Sequence, residues 1–142
     1  NAGMIKAQNF VRAEARKNPA VTPPGGLRLA EAAADLQAMR SVILDGFRRY
    51  EQAHADPADL GSVSFLAAMN TVKLNASTMM NSILQQALMI AGIHGYRNDG
   101  PYSLGRHLRD AMSAPIMISN DRILGNTARL LLAHRFEARL AI

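Results

Sequence analysis

The sequence predicts an all-α protein, an up-and-down bundle of long antiparallel helices of the four-helix type. Apolar residues recur at alternating spacings of three and four over long segments, which is the periodicity of a helix. No segment alternates apolar and polar residues as a half-buried strand does. The 142 residues, 49% of them hydrophobic, suffice for one domain with a core and are too few for two.

The start of the chain is interpreted separately from the rest. Asn1 and Ala2 resemble the remnant of a cleaved expression tag, so residues 1–3 are expected to be this remnant and the start of the natural segment. Residues 4–142 are expected to form a single helical-bundle domain, a fragment of a larger chain.

The first helix is expected from about Met4 to Lys17, where prolines follow. Asn18-Pro19 and the Thr-Pro-Pro-Gly-Gly run at 22–26 cannot continue a helix. Each Pro lacks an amide donor and forces the residue before it toward extended geometry. Residues 18–26 therefore form a connector.

The second helix is expected over residues 27–54, with one stripe facing the bundle. Arg40 interrupts the apolar residues of this stripe, so its charge must find a partner, reach solvent along its aliphatic stem or contact another subunit. A structural Arg paired inside the bundle is favoured over a functional site. The stripe consists of Leu29, Ala33, Leu36, Arg40, Ile43, Phe47 and Tyr50.

The third helix is expected to start at the Asp-Pro turn of residues 56–57 and to run to about Ile93. Its Met residues are interpreted as core filler. Its stripe consists of Phe65, Met69, Val72, Ala76, Met79, Ile83, Gln86 and Ile90.

Helical periodicity stops between Gly92 and Pro101. A short helix is expected over 103–112, broken by Ser-Ala-Pro at 113–115. The last helix is expected to be capped by Ser119, Asn120 or Asp121 and to run toward Phe136 through Ile123, Leu124, Thr127, Leu130, Leu131 and Leu132.

Composition excludes several function classes. Without Cys there is no disulfide, thiolate metal site or thiol nucleophile, and the four His lack metal-ligand spacing, so no metal is expected. Polar residues interrupt every apolar run before 18 residues, so no membrane span is expected. The net charge of +5 is spread along the chain without interleaved aromatics, so nucleic acid is not an expected partner. A cytoplasmic location is expected.

Several short motifs, taken in order, resemble the C-terminal helical domain of acyl-CoA dehydrogenases. They are Ala-Leu-Met-Ile-Ala-Gly-Ile-His-Gly-Tyr at 87–96, then Pro101, then Leu-Arg-Asp-Ala at 108–111. Ala13-x-x-Arg16, Leu29-Ala30 with Arg40 following, and Lys73 before the glycine turn also fall in that family's order, so the resemblance spans residues 4–135.

The resemblance implies a flavoprotein that binds FAD and oxidises an acyl thioester, bound to CoA or to a carrier protein. The α-proton is removed and a hydride passes from the β-carbon to the flavin. The rest of the parent chain would supply a helical and a β-domain, and a homo-oligomer, a dimer or tetramer, is implied. By position, Arg16 would face the FAD pyrophosphate, Gly92 and Gly95 would form a turn near the adenine, and Asn120 would replace a Thr beside the flavin.

The catalytic base of the family is missing at its usual position. Ile118 stands where the family has Glu, and an alkyl side chain cannot take a proton. The catalytic residue is therefore unknown: the base lies upstream of residue 4, as in some relatives, or the function is lost. The family's Gln before the glycines is Met89 here, its second Gly is Ile93, and its Phe-Gly is Pro19-Ala20.

Three hypotheses follow. The first is the C-terminal domain of such a flavoenzyme, inactive as an isolated fragment because pockets built between domains lose their walls. The second is a free-standing helical interaction module without catalysis, favoured by Ile118. The third, a basic DNA-binding regulator, is disfavoured because a helix-turn-helix needs two brief helices and residues 27–93 indicate two long ones.

Overall fold

The structure, a computed structural model, describes residues 1–133. Within them it is helical and has no strand, which confirms the all-α prediction. In chain order the helices are α1 (Ala2–Lys17), α2 (Gly25–His54), α3 (Pro57–Leu60), α4 (Val63–Ala91), α5 (Ile93–Tyr96), α6 (Gly105–Met117) and α7 (Asn120–Ala133).

Helix α4 is the centre of the bundle, and α1, α2, α6 and α7 all pack on it. Helix α2 runs antiparallel to α4. Asp35, near the start of α2, accepts a hydrogen bond from Gln86 near the end of α4, whereas Gly46, later in α2, lies against Val72, earlier in α4.

The other helices complete an up-down-up-down order. Gly3 of α1 lies against Leu84, and the later Val11 lines the same cleft as the later Ile90, so α1 runs parallel to α4. Helices α6 and α7 both run antiparallel to α4 and follow one another along it. The first packs on its C-terminal half and the second on its N-terminal half.

The largest core cluster lies where α1, α2, α4 and the start of α6 meet. Four of its nine buried residues are Ala, and Leu104 is the largest side chain that is fully buried within residues 1–133. Its buried members are Met4, Ala7, Val11, Ala32, Ile83, Ala87, Ile90, Ala91 and Leu104. Small residues let the helix axes approach closely. The cluster therefore holds α1, α2, α4 and the start of α6 together.

The buried face of α2 differs from the predicted stripe. Its most buried positions recur every seven residues, at Ala32, Met39, Gly46 and Ala53, with Met39 partly buried. Leu29, Leu36 and Ile43 lie half-buried beside this line. The remaining stripe residues, Ala33, Arg40, Phe47 and Tyr50, are exposed. The prediction was wrong for these four because close approach to α4 requires small side chains, and the apolar pattern alone marks the larger ones.

Arg40 was predicted to be paired inside the bundle, and this was wrong. It is exposed, and its Nη2 donates to Oδ1 of Asn1 at 2.8 Å. The long side chain reaches over the first turn of α1, so the charge stays in water.

The predicted third helix is two helices. Asp56 Oδ1 accepts from the Ala58 amide at 2.9 Å and starts α3, and Ser62 Oγ accepts from the Phe65 amide at 3.2 Å and starts α4. These two side-chain caps satisfy amides that would otherwise lack partners, so the chain turns at Gly61. Helix α4 ends at Ala91, two residues before the predicted end.

The predicted break at residues 113–115 was also wrong, because α6 continues through Pro115 to Met117. Proline has no N–H for the carbonyl four residues back, which here is Ala111. That carbonyl instead accepts a hydrogen bond from Asn81 Nδ2 of α4 at 3.1 Å. The neighbouring helix thus supplies the donor that Pro115 lacks.

The first residues of α1 and α7 can be compared with the predictions. Helix α1 begins at Ala2, and Gly3 is buried against Leu84 and Leu104. At α7, Ser119 Oγ accepts from the Arg122 amide at 3.3 Å, so Ser119 is the capping residue among the predicted candidates. The predicted end toward Phe136 lies outside the described residues.

Candidate functional site

The glycine turn follows α4 directly. Gly92 has φ 55° and ψ −135°, a backbone conformation that only glycine adopts without strain. The residue is exposed, and a Cβ placed on it would meet no described atom within 4 Å. Backbone conformation rather than crowding therefore requires glycine at 92. Its amide donates to the Leu88 carbonyl at 2.7 Å and its carbonyl accepts from the Gly95 amide at 3.0 Å, so the polar groups are used within the chain and it is the missing side chain that leaves room for an approaching molecule.

Gly95 has a different role, since it is buried. A Cβ at 95 would lie 2.9 Å from Ala91 Cβ and 3.2 Å from a methyl of Leu104. The Gly95 carbonyl accepts a hydrogen bond from the Leu104 amide at 2.8 Å. Gly95 therefore lets the turn pack against the start of α6.

Contacts with α1 hold this turn in place. The Phe10 ring lies 5.6 Å from the His94 ring and 5.4 Å, edge to face, from the Tyr102 ring. Lys6 Nζ donates to the Ser103 carbonyl at 2.6 Å. The turn therefore lies beside α1, the helix that carries Arg16 in its last turn.

A cleft of about 450 Å³ opens beside this end of α1, between the connector, the start of α2 and the end of α4. Its floor is largely apolar, and its charged lining residues are Glu14, Lys17 and Arg28. The hydrogen bond that Lys17 donates to Glu14, 2.6 Å long, raises the pKa of Lys17 above its ordinary value. Arg16 is exposed next to this cleft and has no side-chain hydrogen bond or ion pair within residues 1–133.

A second group of polar residues joins the α6–α7 corner to the middle of α4. Lys73 Nζ donates to the Ile118 carbonyl and to Asn120 Oδ1, and Asn120 Nδ2 donates to Ser77 Oγ at 3.1 Å. Ser77 is buried, and its hydroxyl also donates to the Leu74 carbonyl at 3.0 Å. We call Lys73, Ser77 and Asn120 the corner network.

The corner network orients position 118 without making it reactive. Ile118 is 56% exposed, so the residue predicted to stand at the family's base position points outward from a fixed backbone. Both polar atoms of Asn120 are used inside the chain. The arrangement fixes the corner, and it offers no proton acceptor at residue 118.

The two groups of predicted site residues lie far apart. Arg16 and the glycine turn share one end of the bundle, whereas Ile118 and Asn120 lie beside residues 73–77. At 1.5 Å per residue, about 22–28 Å of α4 separates residues 73–77 from Gly92. One small group cannot contact both.

The hydrogen bonds of Lys73 could not be found from the sequence. The order of motifs includes Lys73, but the acceptors of its hydrogen bonds are 45 and 47 residues away along the chain. No local pattern indicates a contact of that separation, and only the pairing of α4 with α7 brings these atoms together.

Neither a metal centre nor a membrane span appears in the part of the chain that is described. Residues 1–133 contain no group of three His, Cys, Asp or Glu side chains placed to hold a metal ion. None of their helices combines the length and the apolar character needed to cross a bilayer.

Replacing Lys73 with Met is expected to lower the free energy of unfolding by about 1.5 kcal/mol. The change keeps the aliphatic stem and removes a charged donor that serves two acceptors. Urea denaturation followed by circular dichroism measures the effect. The exposed Lys17→Met change is the matched control, and it should shift the midpoint far less because it removes only a solvent-exposed ion pair with Glu14. Equal effects of the two changes would contradict a structural role for Lys73.

The fold and the two groups of residues define a helical-bundle domain with an open glycine turn at one end and a fixed corner on its side. The family model for the C-terminal domain of acyl-CoA dehydrogenases matches residues 7–128. The chain therefore belongs to the acyl-CoA dehydrogenase family, by its C-terminal domain, which confirms the resemblance. Searches among curated proteins and among solved structures gave no match.

Proposed function

We propose that this chain is the C-terminal domain of a flavoenzyme that oxidises an acyl thioester at its α and β carbons, and that the domain contributes to FAD binding and to oligomerisation. The observation that supports this most is the family match over residues 7–128, together with the open turn at Gly92. Bound FAD would supply the hydride acceptor. The residues of this chain would bind the cofactor and orient it.

Arg16 and Gly92 fit a diphosphate-bearing cofactor. The Arg16 guanidinium is exposed and unpaired within the described residues, and a guanidinium binds phosphate oxygens through two parallel hydrogen bonds. Gly92 has no side chain and is exposed, so a ligand can approach the backbone closely. We propose that these two residues make the direct contacts at this end.

Gly95 and Asn120 would not bind the cofactor directly, but would fix the shape of the surfaces that contact it. Gly95 is buried against Leu104, so it would fix the form of the turn that presents Gly92. Asn120 is held by Lys73 and Ser77, so it would fix the corner beside the flavin while its amide stays bonded within the chain. The two groups lie far apart along α4, so Arg16 and the glycine turn would contact the adenosine diphosphate end of a neighbouring subunit's cofactor, while Asn120 would lie beside a flavin.

The residue that accepts the α-proton of the substrate would lie outside the α6–α7 corner. Ile118 excludes base catalysis at that position. The domain by itself would therefore be inactive, and the rest of the parent chain would complete both the base and the walls of the pocket.

An exposed apolar face on α2 supports the oligomerisation part of the proposal. Leu44, Phe47 and Tyr50, spaced by three, lie on one side of the helix, and their exposed fractions are 54%, 62% and 48%. Apolar surface of this kind is buried when subunits or domains associate. A second copy of the chain or the remaining domains of the parent would cover it.

The test uses the protein expressed from its complete reading frame. We expect a yellow protein whose flavin is bleached by acyl thioesters, and we expect Arg16→Gln to weaken FAD binding about 10- to 100-fold, the effect of one charged hydrogen-bonding group. Flavin absorbance during dialysis measures the loss.

Arg48→Gln is the control, because Arg48 is also exposed and lies near the opposite end of α2. A colourless protein that leaves thioesters unchanged would overturn the proposed function. Equal flavin retention in Arg16→Gln and the control would remove Arg16 from the binding site.

The alternative function is a helical interaction module without catalysis. The specific observation that favours it is Ile118, exposed at the position where the family has its base. A complete protein that assembles normally but binds no flavin would support this alternative.

A further inference from the structure

The segment between the glycine turn and α6 contains Asp99-Gly100, one of two Asp-Gly pairs in the chain. The other pair, Asp45-Gly46, lies inside α2. In such a pair the amide nitrogen of the glycine can attack the carboxyl carbon of the aspartate, because glycine has no side chain to block the approach. The proposed flavin function uses neither pair, and the two can be compared directly because their backbone surroundings differ.

The backbone of Asp99-Gly100 is open to this attack. Both residues are exposed, and Gly100 has φ 99°, a conformation that glycine adopts at little cost. The Gly100 amide donates no hydrogen bond within residues 1–133. The nitrogen that would attack is therefore neither buried nor held by an acceptor.

The backbone of Asp45-Gly46 prevents the same attack. Gly46 is buried, and it lies against the methyl groups of Val72. Its amide lies in the interior of α2, where each amide donates to the carbonyl four residues back. The attack would require this part of α2 to open first.

The two aspartates resemble each other in their side chains, since each carboxylate is exposed and paired with an arginine. Arg97 donates from Nε to Oδ1 of Asp99 at 3.1 Å and from Nη2 to Oδ2 at 2.8 Å. Arg49 Nε donates to Oδ2 of Asp45 at 2.7 Å. The hydrogen bonding from Arg97 is the largest cause that lowers the pKa of Asp99 below its ordinary value, so less of this carboxyl group is neutral. The neutral acid is the form that loses its OH as water, so Arg97 opposes the reaction.

We propose that Asp99 is a site of spontaneous covalent modification, at which the link to Gly100 isomerises to an isoaspartyl link, and that Arg97 slows this reaction. The Gly100 nitrogen forms a bond to Cγ of Asp99, and the carboxyl OH leaves as water with the amide proton. The resulting succinimide then takes up one water. Hydrolysis at the main-chain carbonyl carbon of Asp99 leaves the chain running through Cβ and Cγ, with unchanged mass and no oxidation or reduction.

The isoaspartyl link would lengthen the main chain by one methylene group in a segment whose ends are fixed. The Gly95 carbonyl accepts a hydrogen bond from the Leu104 amide at 2.8 Å, so residues 96–103 form a closed loop. The modification would therefore change the shape of this loop beside the glycine turn. The reaction needs only water, so the proposal does not depend on FAD binding.

The experiment incubates the 142-residue chain at neutral pH and physiological temperature and locates isoaspartate in its proteolytic peptides. Protein isoaspartyl methyltransferase with labelled S-adenosylmethionine is the probe, and electron-transfer mass spectrometry assigns the position. We expect isoaspartate at residue 99 and at least about 10-fold less at residue 45, the factor for an opening of α2 that costs about 1.4 kcal/mol or more. In urea the two positions should react at similar rates, because the difference in backbone structure is lost.

Three variants test the assignment. Arg97→Gln should speed the reaction at residue 99 about 2- to 5-fold, the range for loss of an exposed ion pair. Arg106→Gln is the matched control, because Arg106 forms another exposed ion pair, with Asp110 at 3.7 Å, and it should leave the rate unchanged. Asp99→Glu should abolish the signal at this position, because the longer side chain would have to close a larger ring that forms more slowly.

Absence of isoaspartate at residue 99 in the folded chain, over a period in which the chain in urea forms it, would overturn the proposal. So would equal amounts at residues 99 and 45 in the folded chain. Equal rates in Arg97→Gln and Arg106→Gln would overturn the role assigned to Arg97.

Discussion

Replacing Leu104 with Ala is expected to lower the free energy of unfolding by about 2–5 kcal/mol, the range for truncating a buried leucine. Leu104 is 0% exposed, and its methyl groups lie close to Gly3 of α1 and to Gly95 of the glycine turn. The cavity would be hard to fill, because much of the core cluster around it consists of Ala side chains that have no freedom to move inward.

Urea denaturation of the chain followed by circular dichroism measures this effect. Leu27→Ala is the matched control, since Leu27 is 76% exposed and should change stability by less than about 0.5 kcal/mol. If the two substitutions cost the same, Leu104 does not join α1, the turn and α6 in the way described.

The functional consequence of Leu104 follows from its two kinds of contact. Its amide bonds the Gly95 carbonyl, and its side chain fills the space that the missing Cβ of Gly95 leaves. The turn that presents Gly92 therefore depends on a residue outside the glycine motif. Sequence motifs identify the turn, whereas the residue that holds it is visible only in the packing.

Long-range hydrogen bonds explain where prediction from the sequence fails. The second helix, predicted over residues 27–54 and found at Gly25–His54, and the stripe of α4 could be predicted, because periodicity within one helix is a local signal. Pro115 could not be placed inside α6 from its neighbours, since its tolerance depends on Asn81 of another helix. The same holds for Lys73, whose acceptors lie beyond Met117.

Small residues explain the second kind of failure. The apolar stripe of α2 emphasised Phe47 and Tyr50, which are exposed, and omitted Gly46, which is buried. A hydrophobic pattern is recognised mainly by its large side chains, but two helices in close contact have small side chains where they touch. The exposed aromatic residues that the pattern marked are then available to a second copy or another domain.

Replacing Gly46 with Leu is the test of that close contact, and it is expected to destabilise the chain by about 1–3 kcal/mol. A Cβ at position 46 would lie 3.0 Å and 3.2 Å from the two methyl groups of Val72. Val72 is β-branched and has one strongly preferred rotamer in a helix, so it cannot turn away at low cost. The gain in helix propensity on removing glycine, about 1 kcal/mol, offsets only part of the strain.

Two further variants make the result specific. Gly125→Ala, on α7 where no described atom lies within 4 Å of the new Cβ, should stabilise the chain by about 0.5–1 kcal/mol through propensity alone. Adding Val72→Ala to Gly46→Leu should recover part of the lost stability, because it removes the methyl groups that the new side chain meets. If Gly46→Leu stabilises the chain as Gly125→Ala does, α2 and α4 are farther apart than described, and the buried line through Ala32 and Ala53 is not the contact between them.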